Sequence, residues 1–128
     1  QVVAGPTTGG IILAFEVARQ LGVRGIFAEK TATRERAFRR AFDIAPGERV
    51  LIVDDILTTG GSIREVLAAV NGKRGQIIGI GILVDRSEQK IDFGVPLFSC
   101  HRAATITYKP ESCPLCASGI PLVKPGGG

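Results

Sequence analysis

Short apolar runs alternate with segments of helical spacing along most of this chain. Val2 to Ala4 predicts a short buried strand, and the turn Gly-Pro-Thr-Thr-Gly-Gly follows at 5–10. Ile11 to Leu21 predicts a helix, with Ile11, Phe15, Ala18 and Leu21 on one stripe and Gly22 closing it. Gly25 to Ala28 predicts a second strand, and Ala37 to Ile44 the arm of a hairpin. The turn at 45–48 leads into a third strand, Val50 to Val53. Ile63, Val66, Leu67 and Val70 then fall at helical spacing, and Ser62 with Glu65 has the spacing of a capping box. Ile77 to Val84 is a continuous apolar run, the pattern of a strand buried on both faces of a parallel sheet. Two weaker strands are predicted near Val95 to Ser99 and Thr105 to Tyr108.

Strands alternating with helices predict an α/β fold, doubly wound around a mainly parallel sheet. Such sheets bind ligands beyond the carboxyl ends of their strands. Segments 5–10, 54–62 and 85–86 all fall at predicted strand ends, which makes them the candidate site.

Composition narrows the classes. At 128 residues, with 45% hydrophobic and 22% charged residues, the chain has the make-up of one soluble globular domain. It divides into a core over 1–112 and a Cys-, Pro- and Gly-rich tail over 113–128. No apolar run approaches the roughly 20 residues that span a bilayer, and no signal-peptide pattern is present, so neither membrane nor export is expected. Three cysteines do not make a disulfide scaffold, and a reducing cytoplasm is the expected setting. The chain has no methionine and opens on a strand already under way, and it ends in a glycine run, so it reads as a trimmed domain. The net charge of +4 is concentrated in one segment, where Lys30, Arg34, Arg36, Arg39 and Arg40 stand against Glu35. A solvated face is the plain reading, and a phosphorylated small molecule the functional one. With 5% aromatic residues, and only Phe38 in the basic segment, a base-stacking nucleic-acid platform is not supported.

The chemistry centres on Val-Leu-Ile-Val-Asp-Asp-Ile-Leu-Thr-Thr-Gly-Gly-Ser-Ile at 50–63. A glycine-containing turn that feeds a helix N-terminus offers backbone N–H groups to an anion. Thr58, Thr59, Gly60, Gly61 and Ser62 have that composition, without the Gly-Lys-Ser/Thr ending of a P-loop. Asp54 and Asp55 would repel a phosphate and so must face something else. As acceptor-only groups they suit hydroxyl donors. A ligand with a phosphate on one side and a vicinal diol a few ångströms away, a ribose 5-phosphate, satisfies both. The competing reading is an acidic pair that caps the helix or binds Mg²⁺ by itself.

This stretch resembles the phosphoribosyl-pyrophosphate motif of type I phosphoribosyltransferases. With Gly-Pro-Thr-Thr-Gly-Gly-Ile-Ile-Leu-Ala at 5–14, the basic segment, Leu-Val-Asp-Arg-Ser-Glu at 83–88 and Cys-Pro-Leu-Cys at 113–116, the chain is similar to the orotate phosphoribosyltransferases over nearly its whole length. Members of that family run longer at the N-terminus, where a hood covers the base. The resemblance implies that Asp54 and Asp55 hold the ribose hydroxyls of 5-phosphoribosyl 1-pyrophosphate and that residues 58–62 hold its 5-phosphate. It implies that Thr7, Thr8, Gly9 and Gly10 cradle pyrophosphate, helped by Lys30 and by Arg34 or Arg36. Arg86, steadied by Asp85, and Thr58 would meet orotate. Lys30 and Asp55 would be the catalytic pair, Mg²⁺ would arrive on the pyrophosphate, and the state would be a homodimer. From residues alone, 5–10 is only a tight turn and Arg86 an ordinary partner of Asp85. The basic segment departs from the family pattern, which alternates lysines and ends in histidine; here the sole histidine is His101. A transferase for another base, or a non-catalytic sensor on the same fold, are the alternatives.

Cys113 and Cys116 have zinc-ligand spacing but supply two of about four ligands. Reduced, packed thiols are the simpler reading. A redox pair is disfavoured because the motif is not expected to open a helix.

Overall fold

The alternation of apolar runs and helical segments folds as a doubly wound sheet. The computed structural model describes residues 1–33, 35–103, 106 and 108–121. Among them run six strands: β1 (Val2–Pro6), β2 (Arg24–Lys30), β3 (Arg36–Phe38), β4 (Arg49–Leu57), β5 (Gln76–Asp85) and β6 (Leu97–Arg102). The helices are α1 (Gly9–Leu21), α2 (Gly61–Gly72) and a single turn, α3 (Pro114–Ala117). The sheet order is β3-β2-β1-β4-β5-β6, with every pairing parallel except β2–β3. Arg34 and the residues that would settle a strand at 105–108 lie outside the described residues.

The order reverses between β1 and β4, and the register shows what that opens. β1 pairs with β4 only from Val2↔Val50 to Ala4↔Ile52. Beyond this point β1 follows β2 to Pro6↔Ala28, while β4 follows β5 to Leu57↔Asp85. The two central strands therefore part just before Asp54, and a crevice opens at their carboxyl ends.

The main core lies under α2, where Ile63, Val66 and Val70 pack on Val50, Ile52, Ile80 and Ile82. The predicted α2 stripe is the one found. The α1 stripe is not. Gly10, Ala14 and Ala18 face the sheet, whereas Phe15 and Leu21 are 65% and 60% exposed. Small residues win because the helix lies close: a Cβ on Gly25 would come within 3.0 Å of the Ala14 carbonyl oxygen. Gly22 ends the helix in the left-handed region, as expected.

Two further expectations are corrected. The cap of α2 is Gly60, at φ 80°, with no side-chain cap bond; Ser62 lies inside the helix and Glu65 is engaged by Arg36. β5 is not buried on both faces: Ile78 and Leu83 are exposed, and α1 packs mainly on β1, β2 and β4, leaving Leu83 open on its side. Gly81, Leu83 and Phe98 there line an apolar groove of about 300 Å³ with Leu13, Val17 and Val53. No described helix is long and apolar enough to cross a membrane.

Candidate functional site

Three strand ends build the site, and glycines decide how closely its parts approach. The turn after β1 folds back so tightly that a Cβ on Gly5 would collide with the Gly10 carbonyl. A Cβ on Gly9 would fall on the Asp55 carboxylate. The acid therefore rests against the first residue of α1, at the helix end whose dipole favours negative charge. The sequence-predicted turn 7–10 and the acidic pair, 45 residues apart in the chain, are brought into contact.

Asp54 is buried and Asp55 half-buried. The Asp55 N–H donates to Asp54 Oδ1 at 2.9 Å, and the Ile56 N–H to Asp55 Oδ1 at 2.8 Å. Burial and then the adjoining Asp55 carboxyl push Asp54 up to about 7. The pair thus presents carboxylate oxygens that can accept from hydroxyls.

Next along the chain, Thr58, Thr59, Gly60, Gly61 and Ser62 line a cleft of about 50 Å³ that also touches Asp54. Gly60 needs its left-handed φ, and a Cβ there would come within 2.8 Å of Phe93 Cζ. Phe93 in turn lies under the Arg64 guanidinium, 5.1 Å from the ring centroid. This support is absent from the sequence reading, and an isolated aromatic in a loop gives no periodic signal for it.

A larger pocket of about 460 Å³ is lined by Thr58, Thr59, Arg86, Ser87, Glu88, Gln89 and Ile91, so it holds an acid beside its arginine. Thr58 and Thr59 belong to both cavities, so the two adjoin. The Arg86 N–H donates to the Leu57 carbonyl at 2.8 Å, tying the end of β5 to that of β4. The Asp85 carboxylate accepts from Ser87 N–H at 2.9 Å and Ser87 Oγ at 2.6 Å, and faces Arg102 Nε at 3.9 Å. Ser87 was not among the predicted residues.

The basic segment divides. Lys30 is exposed at the end of β2, opposite Arg36 in the hairpin register. Arg40 pairs with Glu29 at 2.9 Å. Arg36 is corrected: its side chain is 3% exposed and bonded to Glu65 and Thr7, so it is not on a solvent-facing loop. Strand alternation held the clue, since Arg36 and Phe38 share the inward face of β3.

In the tail, Cys113 caps the short α3, which follows a 3-10 turn at Pro110–Ser112 rather than a strand. Its thiol is lowered by the Cys116 N–H, and Cys116 is raised by the neighbouring Cys113 sulfur. Cys100, Cys113 and Cys116 are free thiols. No group of three or more His, Cys, Asp or Glu side chains among the described residues could hold a metal.

A parting of parallel strands at the switch point, with glycine-containing turns on both sides and an acidic pair between, defines a doubly wound α/β protein with its crevice at the carboxyl ends of the strands. The chain belongs to the phosphoribosyl transferase domain family, which it matches over residues 1–94. It is 57% identical over 125 residues to the orotate phosphoribosyltransferase of Caldanaerobacter subterraneus subsp. tengcongensis and 54% identical to that of Pelotomaculum thermopropionicum. In both, 98% of this chain is covered and it spans 65% of the relative's length. Among solved structures, orotate phosphoribosyltransferase from Aeropyrum pernix superposes with a TM-score of 0.65 at 26% identity, covering 79% of this chain and 59% of that one. Adenine phosphoribosyltransferase from Thermoanaerobacter pseudethanolicus gives 0.67 at 24% identity, covering 80% and 70%, a likeness of fold.

Proposed function

We propose that this domain transfers the phosphoribosyl group of 5-phosphoribosyl 1-pyrophosphate to orotate, yielding orotidine 5′-monophosphate and pyrophosphate in pyrimidine nucleotide synthesis. The observation that carries the reading is the shared wall of Thr58 and Thr59 between a phosphate-sized cleft and a larger pocket containing Arg86. The 5-phosphate takes the amides of 58–62, Asp54 and Asp55 accept from the ribose hydroxyls, and the turn 7–10 receives pyrophosphate. Orotate is an anion, and Arg86 supplies the cation in the base pocket. The names of the relatives support the same base.

The chain's contribution is positioning and charge stabilisation. Lys30, one strand away from the pyrophosphate turn, offsets the charge that develops on the leaving group. Asp55 lies beside the sugar that becomes cationic. Magnesium would arrive with the pyrophosphate and would neutralise part of its charge. We place the protein in the cytoplasm as a homodimer, the open apolar groove beside α1 being a face that a second copy covers.

Calorimetric titration with magnesium phosphoribosyl pyrophosphate and then with orotidine 5′-monophosphate tests the reading, followed by assay of orotate consumption. Binding of both with turnover is expected. Binding without turnover would favour a sensor, and binding of neither would remove the ribose-phosphate assignment.

A further inference from the structure

Arg36 is the buried member of the basic segment among the described residues, and its hydrogen bonds lead to parts of the site. Nε donates to Glu65 Oε2 at 2.9 Å. One terminal nitrogen donates to Thr7 Oγ1 at 2.8 Å and to the Ala28 carbonyl at 3.2 Å. The Thr7 N–H donates to that same carbonyl at 3.0 Å. One planar group thus links the turn after β1, the strand that ends in Lys30, and the first turns of α2, four residues beyond Gly61.

The donor inventory gives this link a direction. A guanidinium has donors and no acceptor, so the Thr7 hydroxyl must act as acceptor toward Arg36. Its own proton is then left for an acceptor elsewhere. Thr7 is half-exposed at the turn, so that proton is available to a ligand. We propose that Arg36 is a positioning residue for the pyrophosphate turn: anchored to Glu65, it commits the Thr7 hydroxyl to donate to the bound diphosphate and fixes the turn against the helix that carries the phosphate loop. The inference rests on the reading of 7–10 as the pyrophosphate cradle and adds to it a residue that never touches the ligand.

The test is a double-mutant cycle by calorimetry, with magnesium pyrophosphate and orotidine 5′-monophosphate as probes of wild type, Thr7→Val, Arg36→Met and the double variant. Arg36→Met is expected to weaken pyrophosphate about tenfold, the effect of one hydrogen bond to a charged group, while nucleotide affinity changes less than about twofold. In the Thr7→Val background it should cost nothing further, because the two act as one unit. Arg36→Lys keeps the charge but lacks the planar fork; it should show the same selectivity in smaller measure, and it serves if the methionine variant does not fold. Equal weakening of both probes, or additive losses in the double variant, would overturn the positioning role. Thr7→Val with unchanged pyrophosphate affinity, beside intact nucleotide binding, would overturn the cradle itself.

Discussion

At the scale of single residues, Asp54 sets stability against function. Its carboxyl is raised from 3.8 to about 7, so the folded chain holds a proton there that the unfolded chain releases. The stability this proton contributes is complete below about pH 4 and is lost as pH rises to about 7. Asn carries no charge at any pH, so Asp54→Asn should stabilise the ligand-free protein above pH 7 by on the order of 2 kcal/mol and change little at pH 4. Urea titrations at the two pH values check this. The same variant should lose affinity for phosphoribosyl pyrophosphate, and an equal difference from wild type at both pH values would show that the proton is not held there. Arg86→Ala tests the opposite pole: orotate affinity should fall at least about tenfold, with phosphoribosyl pyrophosphate nearly unaffected, as measured by separate titrations. An equal loss on both would remove Arg86 from the base pocket.

At the scale of elements, the hairpin carries a local conflict. After β3, Arg40 and Ala41 have φ of 56° and 61°, a left-handed pair without glycine. The edge Phe27–Phe42 contact at 5.0 Å and the buried Ile44 hold the segment in place. Ala41→Gly should therefore stabilise by about 0.5–1 kcal/mol, relief of left-handed strain exceeding the added chain entropy; chemical denaturation reads the change. Legibility followed the kind of signal. Strands of the centre were plain because continuous apolar runs mark burial, and the acids stood out because charge at the end of such a run needs a reason. The α1 stripe misled because Ala14 and Ala18 pack closely while larger residues turn outward, and hydrophobicity alone ranks Phe15 above alanine. The capping box failed for a different cause: Ser62 and Glu65 have the right spacing, but Glu65 is claimed by Arg36, a tertiary partner that no local window contains. Arg36 itself looked like one more surface charge in a basic run.

At the scale of the molecule, the sheet is covered unevenly. α2 closes one face, whereas the side beyond α1 leaves Leu83 and Phe98 exposed at 47% and 70%. Phe98→Glu should shift sedimentation from a dimeric to a monomeric mass with the fold retained, because a charge in an apolar contact is costly to bury. A monomeric mass for the wild type would overturn the proposed homodimer, and an unchanged dimeric mass for the variant its placement in this groove. The chain also spans only 65% of the length of its relatives, so the exposed side belongs to a protein whose kin carry more polypeptide. The parting of β1 and β4 has a consequence for how such proteins diversify. The crevice we assign to sugar, phosphate and pyrophosphate opens between those two strands, whereas the larger pocket takes its arginine from the end of β5. Under the proposed assignment a new nucleobase would call for rewriting the end of β5 and the loop after it, while Thr58 and Thr59, common to both cavities, tie the base pocket to the geometry of the crevice.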